Sequence, residues 1–166
     1  MQANWARYVF ASVADYFKEV ASDNNLPVLV DHLDERTEAL MKETDRAEIR
    51  ITGPFLKHTS KGYYVVFVDV SVLLVSRYDG SRKNAYDILK YAGAFQQAMD
   101  SPIAIWNFGG EPGDFDEDDE DTQVFIGCLN PRPGASVQVL NFGQVDAVEK
   151  IKMTEVNMKY TTELQD

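Results

Sequence analysis

The sequence predicts an α+β domain, a mostly antiparallel sheet built on a long β-hairpin with two amphipathic helices packed on one face. Three observations predict it. Residues 63–76, YYVVFVDVSVLLVS, form the longest apolar run and hold six valines and neither proline nor glycine, which reads as a strand. The segment 47–57 just before it alternates Glu48, Arg50 and Thr52 against Ile49 and Ile51, the period of a half-buried strand. The stretches 4–21 and 84–100 repeat apolar residues at the three–four spacing of a helix face.

Taken in order, the first helix carries Trp5, Tyr8, Val9, Val13, Phe17 and Val20 on one stripe, with Asn4 as the expected N-cap and Ser22-Asp23-Asn24-Asn25 as its stop. Leu26-Pro27-Val28-Leu29-Val30 is a short extended piece, set by the proline at its start. A short helix is expected over Asp34–Thr44. In the hairpin, Gly53-Pro54 breaks the alternation and predicts a bulge, and residues 58–62 supply the turn. In 63–76 one face (Tyr64, Val66, Val68, Val70, Val72, Leu74) is apolar throughout, whereas Asp69 and Ser71 interrupt the other. This strand is therefore expected at the centre of the sheet, with one face fully covered and the other partly. The second helix presents Ile88, Leu89, Ala92, Phe95, Ala98 and Met99; Asn84 with Asp87 resembles a capping arrangement and Ser101-Pro102 ends it. Strands are expected over 102–108, 124–129, 136–142 and 150–162. In the last, Ile151 and Met153 are odd but Val156, Met158 and Tyr160 are even, so either a bulge near Thr154-Glu155 or a strand that leaves one sheet and enters another is expected.

The chain of 166 residues is the size of one domain, with an acidic insertion or disordered loop at about 109–123. Its single cysteine, Cys128, excludes an intrachain disulfide. The first residues lack a basic segment before a long apolar run, so neither a signal peptide nor a membrane span is expected. A net charge of −11 argues against a binder of nucleic-acid backbone, which needs a basic surface.

Candidate sites are few. Residues 111–121 hold eight carboxylates: Glu111, Asp114, Asp116, Glu117, Asp118, Asp119, Glu120 and Asp121. Asp114, Asp116 and Asp118 alternate as calcium ligands do, but the sixth and twelfth positions of such a loop, which require Gly and Glu, are Asp119 and Phe125. A solvated loop, a weak calcium or magnesium site and an anionic surface all remain open readings. Cys128 lies in FIGCL, where a lone cysteine reads as a small hydrophobe. His32 and His58 are far apart and make no zinc signature; His58 is expected exposed at the hairpin tip. Asp31 and Asp34 flank His32, and nothing else converges there. No G-x-S-x-G or P-loop is present, so no enzyme activity and no cofactor are expected.

The order helix, long hairpin, helix and further strands resembles the tail terminator (tail completion) and neck proteins of long-tailed bacteriophages. The stretches that carry the likeness are IRITGPF ending at Phe55, the strand 63–76, IGCL at 126–129, and NFGQVD at 141–146 followed by the strand holding Val156-Asn157-Met158-Lys159-Tyr160. The resemblance implies a virion structural protein, assembled in the host cytoplasm. It implies a ring, hexameric as in that family, on the tail tube, contacting the tube protein and a head-completion or connector protein, with DNA passing through unbound. The over-long strands 63–76 and 150–162 are expected to supply edges for copies to pair on or a continuous ring surface, and the carboxylates of 111–121 to face the channel. Two other readings stand beside it: a small-ligand-binding or enzymatic domain with a pocket between the first helix and the sheet, and a calcium-dependent adaptor using the acidic loop.

Overall fold

The computed structural model describes residues 5–31, 45–60, 63–77, 82–108, 123–146 and 150–165. The expected helix over Asp34–Thr44, the Asn4 cap and the acidic loop fall outside them. The described elements are α1 (Trp5–Asp23), β1 (Val28–Val30), β2 (Asp45–Ser60), β3 (Tyr63–Arg77), α2 (Arg82–Met99), β4 (Ile103–Phe108), β5 (Gln123–Pro131), β6 (Gln138–Asp146) and β7 (Ile151–Gln165). The described strands form a seven-stranded sheet in the order β1-β2-β3-β7-β5-β4, and β6 also pairs with β7. Only β1 on β2 is parallel; the other pairs are antiparallel. The α+β architecture expected from the sequence is the one observed.

The hairpin forms because two long alternating runs are joined by a short turn. Its register runs from Asp45 opposite Ser76 to Ser60 opposite Tyr63, with a shift between Thr52 and Phe55. That shift is the bulge foreseen at Gly53-Pro54. Gly53 has φ of +109°, a conformation that a side chain disfavours. The valine face of β3 is the floor of the core: Val66, Val68, Val70, Val72 and Leu74 are all buried. Both helices lie on that face. Trp5, Tyr8, Val9, Val13 and Phe17 of α1 and Ile88, Ala92, Phe95 and Met99 of α2 join it in one cluster. Phe17 and Phe95 stack at 6.3 Å between centroids.

Helix ends are closed by specific donors. Asn25 takes φ of +54°, and the N–H groups of Asn25 and Leu26 donate to the carbonyls of Ser22 and Ala21, a Schellman closure of α1. At the end of α2 the Tyr16 hydroxyl donates to Ala98 O at 3.0 Å and the Tyr160 hydroxyl to Met99 O at 2.7 Å. These phenols satisfy carbonyls that the helix itself leaves open. The helix begins at Arg82, ahead of the cap expected at Asn84.

Two expectations are corrected. β7 pairs with β3 from Ile151–Arg77 to Gln165–Tyr63 with no shift, so there is no bulge at Thr154-Glu155. Its core face is Thr154, Val156, Met158 and Tyr160. Thr154 is 1% exposed and occupies a place where the pattern wanted an apolar residue. That single polar residue made Ile151 and Met153, which lie on the opposite face, look like the inner set. Nor are the over-long strands edges. β3 lies between β2 and β7, and β7 has β3 on one side and β5 and β6 on the other. The open edges belong to other strands.

Candidate functional site

Among the described residues, the four strands β2-β3-β7-β6 carry an uncovered edge on each outer side, and these edges are the candidate site. On one side, β1 pairs with β2 only from Ala47 to Ile49. From there to the hairpin end no described strand covers the outer edge of β2. This arm is exposed over 55–59, with Phe55 54% and Leu56 48% exposed and Tyr63 close by at the start of β3. His58 is exposed on the arm, as expected, and its ring lies 5.1 Å from that of Tyr64.

On the other side, β6 pairs with β7 and with no other described strand. Gly134, with φ of +78°, turns the chain after β5, and the Arg132 N–H donates to Lys159 O at 2.8 Å, anchoring the turn on β7. β6 then runs along β7 with Val139, Leu140, Phe142 and Val145 all substantially exposed. Its shifts fall between Asn141 and Gly143 and between Gln144 and Asp146. Gly143, with φ of +66°, donates its N–H to Asn141 Oδ1 at 2.9 Å, which fixes the first of them.

The faces of the two edges correspond. Val139 lies opposite Val156 and Leu56 opposite Val66, and both partners are on the helix-bearing face. Leu140 lies opposite Glu155 and Phe55 opposite Phe67, on the other face. Each edge also has a regular stretch next to its shifts, 138–141 in β6 and 55–58 in β2. Natural edges are usually blunted by charge; in β6 the one ionisable residue is the terminal Asp146.

Above the root of the arm, on the face away from the helices, Arg46 and Glu48 are buried at 6% and 4% exposure. The Arg46 Nη2 to Glu48 Oε1 distance is 3.0 Å, and Arg50 Nη2 lies 3.5 Å from Glu48 Oε2. Farther along the same face the Ser71 hydroxyl donates to Glu155, and the Arg132 guanidinium sits 5.2 Å over the Phe67 ring. These contacts stiffen the strands whose margins are bare.

The sites singled out by sequence are not brought together. Glu111, Asp114, Asp116, Glu117, Asp118, Asp119, Glu120 and Asp121 lie outside the described residues, as do His32 and Asp34. The Asp31 N–H donates to Ile49 O at 2.8 Å, which prolongs the β1–β2 pairing. Cys128 is a free, half-buried thiol opposite Ala104. Among the described residues no group of three metal-ligating side chains gathers, and no helix is long and apolar enough to cross a membrane. The stripe of α1 is packed into the core, with Val9, Val13 and Phe17 at 0% exposure. Sequence reading missed β6 as an edge, although adjacent Val139 and Leu140, apolar on both faces, were a usable signal. No protein-family model matches the chain, and no curated protein matches it in sequence.

Proposed function

We propose that the protein is a non-enzymatic structural subunit of a long-tailed bacteriophage, a tail terminator. In this role its copies form a ring on the end of the tail tube, facing the head connector, and DNA passes through without being held. The order of elements and the stretches IRITGPF, IGCL and NFGQVD suggest the family. The observation that carries the reading is that, among the described residues, no strand covers the outer edges of β2 beyond Ile49 and of β6, and both edges carry exposed apolar side chains. A protein acting alone gains nothing from such margins, which invite association; a ring subunit requires them.

The test is assembly. Native mass measurement and negative-stain micrographs of the purified protein, alone and with tail tubes, should show closed rings and ring-capped tube ends. Six copies of 18.7 kDa would weigh about 112 kDa. A protein that stays monomeric at every concentration and leaves tube ends bare would end the proposal.

A further inference from the structure

We infer that the notch between β5 and β6 is a carboxylate-binding site, filled by an acidic side chain of a partner peptide or by a small free acid. It is a second surface of the chain, on the face away from the helices, and does not depend on the ring reading.

The notch follows from the pairing of β7. β5 covers Tyr160 and Thr161, and β6 takes over at Asn157. Between them the chain turns over 132–137, and a cleft of about 360 Å³ opens beside the turn. That volume lies at the small end of ligand pockets, which run from about 300 to 1,000 Å³. Arg132 and Lys159 bring two cations to its lining, and Ser136, Gln138 and Asn157 bring a hydroxyl and two amides. Among the described residues no carboxylate lines it, although the chain holds 27 acidic residues against 16 basic ones. Asp69 stands opposite Lys159 in the register, but neither it nor any other described carboxylate forms an ion pair with the two cations. Two cations in one cleft repel each other until an anion enters.

Arg132 is already positioned. Prolines on either side of it, Pro131 and Pro133, restrict the backbone. Its N–H donates to Lys159 O at 2.8 Å, and its carbonyl accepts from the Ala135 N–H at 2.9 Å. Its guanidinium lies 5.2 Å from the centre of the Phe67 ring, a cation–π contact. A ligand therefore meets a fixed fork of donors, which lowers the ordering cost of binding.

The donor set selects the class of anion. Phosphate sites collect backbone N–H groups from a helix N-terminus or a glycine-rich turn. Here no helix lines the cleft, Pro133 has no N–H, and the N–H groups of Arg132 and Ala135 are in use. What remains is a planar guanidinium, an ammonium and side-chain amides, which suit the two coplanar oxygens of a carboxylate. The net charge of −11 further disfavours a polyanion such as DNA.

The experiment is calorimetric titration of the full chain in about 0.15 M sodium chloride. The probes are glutarate, a blocked peptide of alternating aspartate and serine, the same peptide with asparagine in place of aspartate, and inorganic phosphate. At least one carboxylate probe should bind, the asparagine peptide should not, and phosphate should bind more weakly than the better carboxylate. Binding of glutarate alone assigns the site to a free acid; binding of the acidic peptide assigns it to a partner segment. Arg132→Gln should lose about 10-fold or more in affinity, and Arg132→Lys, which keeps the charge without the fork, should restore only part of it. Lys159→Gln, which leaves the turn untouched, should also weaken binding. Thermal melts within a few degrees of the parent's show that each variant folds. Affinity unchanged in both Arg132→Gln and Lys159→Gln, phosphate binding tighter than either carboxylate, or no binding of either carboxylate overturns the assignment.

Discussion

Gly53 is fixed by backbone geometry. A Cβ there would lie 2.8 Å from the carbonyl oxygen of Phe67, in the strand across the bulge, and φ is +109°. Gly53→Ala should therefore cost about 1–3 kcal/mol, read as a lower denaturation midpoint with an unchanged m-value. Tyr160 is fixed by chemistry. It is buried, and its hydroxyl is bound to the end of α2. Burial pushes its ionisation well above the ordinary tyrosine value, with smaller contributions from Tyr16 and Asp100. Burial also raises Tyr16. The unfolded chain ionises these phenols near pH 10, while the folded chain still holds the protons. Their contribution to stability is thus complete below about pH 10 and is lost as pH climbs toward the folded-state values. The melting temperature should fall as pH rises above about 10, and less steeply in Tyr160→Phe. At pH 7 that variant should lose about 1–3 kcal/mol, because the Met99 carbonyl is left without its donor.

The elements show why part of the fold could be read in advance. β3 and β2 alternate cleanly, and the glycine–proline step marks where the ladder must shift, so the hairpin, its bulge and its covered face were all legible. So were both helices, whose stripes are long and regular. β7 was read in the wrong phase because Thr154 places a hydroxyl in the core. Its Oγ1 has no hydrogen-bond partner, which costs free energy that an apolar residue would not. Thr154→Val should accordingly raise stability by about 1 kcal/mol or more, measured by denaturant unfolding. The parallel pairing of β1 on β2 was invisible because three residues carry no period that reveals direction. The edges were misplaced for a related reason. Length of strand says nothing about position in the sheet, and the two longest apolar candidates turned out to cover each other. What marks β6 is the lack of a polar face, a feature that alternation alone does not weigh.

For the molecule as a whole, charge opposes contact between copies. Each carries a net −11, and like charges brought together repel until salt screens them within about 10 Å at 0.1 M. Assembly driven by the apolar margins should therefore strengthen as sodium chloride rises from 0.05 to 0.5 M, read by sedimentation velocity; a ring held by ion pairs would weaken instead. The margins themselves were only half legible in the sequence, since exposure depends on which strands happen to be neighbours. One feature of the topology bears on how the protein is made. β7 comes last in chain order yet lies in the interior of the sheet, against the whole length of β3. During synthesis the hairpin and both helices emerge with the β7-facing edge of β3 still unpaired. Folding on the ribosome must wait for residues 151–165, and a nascent chain stalled before them would be a natural client for chaperones.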